Sequence, residues 1–441
     1  MNLSKVIRSH LAAGICLAVI ASPAWSQAYD ADDIGARVME IEDQIIEWRR
    51  HFHQHPELSY QEHETAAYIA EALSQMPGIE IETGIAQTGI KAVLTGGKPG
   101  PVVALRADMD ALPVEERNDL PFRSTAKAEW RGQEVHVSHA CGHDAHMAML
   151  LGAAKILSDM REDIPGTVVF LFQPAEEQGP GPVPSGAAAM VSEGVLDNPK
   201  VDVVMGQHIF AGAPSGQINY RYGSLMASGD AFSITVEGVG GHGASPWTAK
   251  DPILVASQIA LSLQNIVSHQ VDPMDGGPTV VTIGSFNSGN RPNVIPETAE
   301  LTGTIRSLSP ENQRIAHESL KMKAEHIAAS AGLTATVKID TGYEVLISDP
   351  EATRSIVPAL HDASRNGEAV EIQPTMTSED FGAFGADIPV VFWHLQASPY
   401  EDRDGAPNHS SEFQIDEAAM AVGTRAFVGA TLAYMDAHPQ E

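Results

Sequence analysis

Between Asp30 and Leu73 the apolar positions recur with helical spacing. Ile34, Val38, Ile41, Ile45 and Trp48 fall on one face, and a second helix is expected from about Glu62 to Leu73. The His-rich stretch between them, from Arg49 to Leu58, is expected to be a structural loop, because His51, His53 and His55 alternate and would share a face only on a strand. Short apolar runs of strand length follow at 102–107, 167–172 and 201–205, with a buried apolar helix over 147–157. Each run leads into acid or His. The first reaches Asp108-Met109-Asp110, the second Glu176-Glu177, and the third His208. Strand ends of this kind, alternating with helices, point to one site at one edge of an open α/β sheet.

The pattern changes near Arg221. Residues 230–237 alternate like a half-exposed strand, Gly240-Gly241-His242-Gly243 follows, and 251–267 is an amphipathic helix. Strands at 279–286 and 300–307, a helix at 310–331 and a strand at 334–339 complete a β-α-β-β-α-β order, a compact α+β unit inserted into the first. The sheet then resumes with a helix at 352–366, Thr377-Ser378-Glu379-Asp380-Phe381, a strand at 390–395, Pro407-Asn408-His409 and a closing helix. The expected organisation is a catalytic domain in two parts, 30–220 and 339–441, around an inserted lid at 221–338, with hinges near Tyr222–Gly223 and Ile339–Gly342.

Residues 1–26 have the form of a secretory signal: Lys5 and Arg8, an apolar core at 11–20, and Ala24-Trp25-Ser26 before Gln27. The run is short for a membrane span, and no later stretch reaches the ~20 apolar residues one requires. Cleavage would remove Cys16 and leave Cys141 as the sole thiol of a periplasmic or secreted protein, without a disulfide partner. Formal charge is −30, and loss of Lys5 and Arg8 with no acid makes it −32. That excess excludes a nucleic-acid partner, whose phosphates would be repelled. At 43% apolar and 19% charged the composition is globular.

The densest chemistry lies at His139-Ala140-Cys141-Gly142-His143-Asp144-Ala145-His146. Thiolate, imidazole and carboxylate are the side chains that bind zinc and its neighbours, and a lone thiol beside His is better explained as a ligand than as packing. With Asp108-Met109-Asp110-Ala111-Leu112-Pro113, Glu176-Glu177, His208, Gly240-Gly241-His242-Gly243-Ala244, Asn293-Val294-Ile295-Pro296, Gly303-Thr304-Ile305-Arg306, Ser378-Glu379-Asp380-Phe381 and His409, this cluster resembles the metal-dependent aminoacylase and carboxypeptidase family. The branch it resembles is that of hippurate, indole-acetyl-amino acid and N-acyl-amino acid hydrolases, over nearly the whole chain after the signal.

The resemblance implies an α/β fold: a mixed-sheet, di-metal peptidase-like catalytic domain with a ferredoxin-like lid that also forms a homodimer. It implies two divalent ions, with Cys141, His143, Glu177, His208 and His409 as ligands and zinc, manganese, cobalt or nickel as the metal. Glu176 is then the general base for the attacking water, Asp110 orients a ligating His, and His242 stabilises the oxyanion, in dimers from the neighbouring subunit. Asn293 and Arg306 are candidates to grip a substrate carboxylate; Asp144 and His146 are expected to support rather than ligate. Trp247 after Pro246, where the branch has His, and the Gly/Pro-rich loop at 179–184 bear on substrate preference. The expected function is cleavage of N-acyl-L-amino acids, with acetyl, benzoyl or aryl-acyl groups, to a carboxylic acid and an amino acid. The rivals are a dipeptidase or carboxypeptidase on the same site, and a binding protein on the same scaffold, which would most simply lack Glu176.

Overall fold

A computed structural model describes residues 30–179, 181, 183–274 and 277–440. The expected signal segment with Cys16 lies outside them, as do Pro180 and Pro182 of the Gly/Pro loop. An eight-stranded mixed sheet forms the centre, in the order Ile79–Ile85, Gly89–Thr95, Pro165–Gln173, Lys98–Asp108, Val203–Phe210, Val390–Gln396, Ile218–Tyr220 and Val370–Glu371. Its four middle strands run parallel, so the ends of Lys98–Asp108, Pro165–Gln173 and Val203–Phe210 emerge side by side. These strands read as near-continuous apolar runs because both faces are covered. On one face the helices Glu42–Gln54, His143–Asp159 and Ala419–Ala437 enclose a core that includes Ile45, Leu105, Met149, Phe172, Trp393 and Phe427. The other face packs Leu171, Val204, Phe381 and Phe392 beneath the short helix Gly186–Ser192.

The inserted unit is a four-stranded antiparallel sheet, ordered Thr279–Ser288, Thr298–Ser307, Gly229–Glu237 and Thr334–Tyr343, with the helices Pro252–His269 and Pro310–Ser330. Its core of Ile234, Val236, Ile259, Leu263, Leu301 and Leu320 is separate from both catalytic-side cores. Both helices start as their sequences direct. Asp251 accepts from Ile253 N and Ser309 from Asn312 N, each ahead of a proline whose missing N–H costs nothing at that position.

Four expectations shift. The stretch after Arg49 is helical to Gln54, since Phe52 and His53 are buried on the inner side and His51 stacks on Tyr68 at 3.7 Å. His208 lies within its strand, which continues to Phe210 because His394 and Gln396 of the neighbouring strand keep it paired. The lid's last strand continues past Ile339 to Tyr343, still paired with Gly229–Glu237. The hairpin of Ile79–Ile85 with Gly89–Thr95, and that of Lys127–Trp130 with Gln133–His136, was not expected.

Candidate metal centre

Gly142 places the ligand loop. It holds φ +100 at the start of the His143–Asp159 helix, and a Cβ there would lie 2.5 Å from Ile209 Cγ2, so only glycine fits. This brings Cys141 Sγ to 3.3 Å from both His208 Nε2 and His409 Nε2, while His409 Nε2 lies 3.0 Å from Glu177 Oε1. His409 arrives on the far loop with φ +69, a strained conformation for a non-glycine, held by its N–H on Ala140 O. Asn408 beside it donates to Cys141 O at 2.7 Å and Ile209 O at 3.1 Å, tying the three segments together.

The tautomers follow from the backbone. His143 Nδ1–H donates to Asp110 O and His208 Nδ1–H to Ile209 O, both at 2.8 Å, which leaves each Nε2 facing the cluster. His146 is different: Nδ1–H donates to Asp108 Oδ1 at 2.6 Å, and Nε2 accepts from Ile209 N at 2.8 Å. Both of its nitrogens are thus engaged within the protein, and Asp144 likewise pairs with Arg49 and His53, each at 2.8 Å.

The residues present fit divalent cations. Buried His143 Nε2 has no hydrogen-bond partner, and the nearest acids to it, Asp108 and Glu176, stand 3.7 and 3.9 Å away. Burial alone would lower the His143 imidazole, yet Asp108 and Asp110 push it up to about 10, so the acids demand a positive charge there. Burial and then Glu177 and Glu176 push the Cys141 thiol up, an order that a bound cation reverses by taking the thiolate as ligand. Sulfur, imidazole and carboxylate donors within one cluster make a site for divalent transition metals.

Glu176 and Glu177 sit on a strained turn. Ala175 at φ +50 and Gln178 at φ +64 flank them, both non-glycine. Asp110 holds this turn: its Oδ1 accepts from Glu176 N and its Oδ2 from Glu177 N, each at 3.0 Å, while Ser59 donates to Oδ2 at 2.6 Å. Asp110 meets His143 through both of its groups: the backbone carbonyl accepts from Nδ1–H at 2.8 Å and the carboxylate lies 3.5 Å from the same nitrogen, while that carboxylate also positions the two glutamates. Burial first, then Glu379 and Glu177, push Glu176 well above the usual carboxylate range. Beneath it Arg106, fully buried, donates to Asp108, Glu379, Asp380 and Gln173. Sequence reading passed over Arg106, although a guanidinium inside an apolar strand was a visible signal.

Not every expected residue joins the cluster. Arg306 lines a cavity of about 950 Å³ between the lid sheet and the turn, together with Gln178 and Tyr343. His242 and Asn293 are exposed and close to one another, Gly243 N donating to Asn293 O at 2.9 Å. Among the described residues no hydrogen bond, ion pair or ring contact connects His242 with Cys141 or the glutamates.

Residues 104–433 match the peptidase family M20/M25/M40. The chain belongs to that family. It is 40% identical to thermostable carboxypeptidase 2 of Saccharolobus solfataricus over 88% of this chain and 95% of the relative. It is 41% identical to an N-acyl-L-amino acid amidohydrolase of Geobacillus stearothermophilus, over 73% of this chain and 82% of that one. Its fold matches the crystal structure of the Bacillus subtilis YXEP protein, a dinuclear metal binding peptidase, with TM-score 0.73 at 32% identity over 90% and 99% of the two chains. This M20 chain is therefore a metal-dependent hydrolase, with a catalytic domain and an inserted α+β domain. No helix among its described residues is long and apolar enough to cross a membrane.

Proposed function

We propose that this M20 chain is an exported amidohydrolase that splits N-acyl-L-amino acids into a carboxylic acid and a free amino acid. The observation that carries the reading is the pinned turn, which holds a buried basic carboxylate, Glu176, next to the donor set of Cys141, His143, Glu177, His208 and His409. Two divalent ions held there would supply Lewis acidity for the amide carbonyl and for water. Glu176 takes a proton from the attacking water as the C–O bond forms, and gives it to the amine nitrogen as the C–N bond breaks. Arg306 is the candidate partner for the substrate carboxylate, since it lines the cavity beside the turn and offers a planar fork of donors.

The lid would join two copies. Its edge strand Thr279–Ser288 exposes Val280 and Phe286, and the helix above it exposes Leu254 at 64% and Leu261 at 78%. The opposite edge carries Lys338 and Asp340, charges that discourage strand pairing. Pairing through the apolar edge would let His242 and Asn293, remote from their own cluster, serve the neighbour's. Residues 1–26 would be removed on export, leaving a periplasmic or secreted enzyme whose one thiol is Cys141.

The carboxypeptidase reading is favoured by the 40% identity to a relative of that name, and it uses the same site. Amine release from N-acetyl-, N-benzoyl- and indole-acetyl-amino acids and from dipeptides separates the two. The assay uses chelator-stripped protein reloaded with zinc, manganese, cobalt or nickel. Metal-dependent release from acyl amino acids that vanishes in Glu176→Gln is expected. Preference for dipeptides would replace the reading with the peptidase one, and turnover surviving in Glu176→Gln would remove the base.

A further inference from the structure

The turn that carries Glu176 is held almost entirely by the catalytic domain. Glu62, fully buried, accepts from Ala175 N at 2.9 Å; Asp110 accepts from Glu176 N and Glu177 N; Gly186 N donates to Ala175 O at 3.0 Å. One group of the turn reaches the inserted unit instead. The carbonyl of Glu176 accepts from the hydroxyl of Tyr343 at 2.5 Å, and Tyr343 is the last residue of the lid's Thr334–Tyr343 strand.

The place of Tyr343 in that strand matters. Gly229 pairs with Tyr343 and Asp230 with Thr341, so Gly342 is an extra residue, a bulge where the lid sheet joins the catalytic domain. Gly342 is confined to glycine by packing, since a Cβ would lie 2.2 Å from Gly229 O. A bulge re-aims the side chain beside it, and here it aims a phenol out of the lid sheet into the strained turn. Because the two units have separate cores, a rotation of the lid would bend at this join and carry the phenol with it. Burial and the neighbouring Glu176 push the Tyr343 phenol far up, so it keeps its proton and remains a donor.

We propose that Tyr343 is a positioning residue that couples the seat of the lid to the aim of Glu176, through its hydrogen bond to the Glu176 carbonyl across the Gly342 bulge. It acts through the backbone of the base, at a turn whose strain gives Glu176 other conformations to relax into once the pin is gone. The inference rests on Glu176 being the base.

Tyr343→Phe removes the hydroxyl and keeps the ring. In the full-length, metal-loaded protein it should lower kcat about tenfold, the scale of a small misplacement of a catalytic group, with KM held within about twofold. The loss should be the same for N-acetyl- and N-benzoyl-amino acids, and metal content should not change. A readout independent of activity is amide hydrogen exchange, which should quicken in residues 174–178 and stay as it was in the lid strands. Unaltered exchange in 174–178 overturns the coupling, even if the variant is less stable. So does an unchanged kcat, a loss confined to KM, or a loss that differs between the two acyl groups, which would make Tyr343 a substrate contact. An inactive Glu176→Gln beside a fully active Tyr343→Phe defeats this inference alone, whereas turnover in Glu176→Gln defeats the reading beneath it.

Discussion

Asp110→Asn is the sharpest test of how the site is built. Both carboxylate oxygens of Asp110 act as acceptors, Oδ1 for Glu176 N and Oδ2 for Glu177 N and Ser59 Oγ. An asparagine offers one acceptor oxygen and one –NH2, so whichever way it turns, a backbone N–H of the turn meets another donor. Stranding one buried N–H costs about 1–3 kcal/mol. If the turn avoids that cost by moving Glu176, the loss falls on the transition state, and kcat drops about 5–150-fold. Metal content should not change, because His143 is oriented by the Asp110 backbone carbonyl, which the substitution keeps. The assay is kcat on an N-benzoyl-amino acid with bound metal counted on the same sample. Were the carboxylate the orienter of His143, metal affinity would fall about 10–100-fold. That result, or a kcat within about threefold of the parent, refutes the argument.

Arg106→Met should destabilise the fold by about 3–5 kcal/mol in urea denaturation, because it leaves Asp108, Glu379 and Asp380 buried without their counter-charge. A loss under about 1 kcal/mol would show that the acids do not depend on it. Metal removal should steepen the pH dependence of stability. Burial and Asp110 push Glu62 up to about 8, and burial with Asp108 and Asp380, against Arg106, does the same for Glu379. A raised acid binds its proton better folded than unfolded, so stability is intact below the ordinary range near ~4.3 and is lost as pH rises toward about 8. The thermal midpoint of stripped protein should therefore fall across that window while reloaded protein stays flatter, and parallel curves would count against cations among these acids.

The candidate donor cluster was legible because its residue types are rare and crowded: a thiol two residues from His143, paired glutamates and strand-end carboxylates have few structural uses in common. Parallel strands then carried Asp108, Glu176 and His208 to one edge, which the apolar runs had announced. What could not be read is what acts through backbone atoms. The Asp110 carbonyl that orients His143 and the Glu176 carbonyl that meets Tyr343 carry no mark of residue type. Tyr343 itself stood at a joint read as a hinge, and its strand looked finished at Ile339 because the bulge at Gly342 breaks the alternation. The helix through His51 and His53 was hidden by alternation of His, which imitates a strand, while burial of Phe52 and His53 decided the matter.

The same acids that invite cations also surround the base proposed here, Glu176. Asp108, Asp110, Glu176, Glu177, Glu379 and Asp380 converge with one buried guanidinium, Arg106. Such an excess in a low-dielectric site must be met by protons or by metal ions. Protons are a poor answer at Cys141, His143, His208 and His409, whose Nε2 and Sγ atoms face one another, because a proton satisfies one pair of atoms and leaves the other donors unserved. Divalent ions serve several at once. Bound there, their charge would lower Glu176, which burial, Glu379, Glu177 and Asp380 push up. A carboxylate drawn both ways would be basic enough to take a proton and acidic enough to return it, as the role proposed for Glu176, first base and then acid, requires.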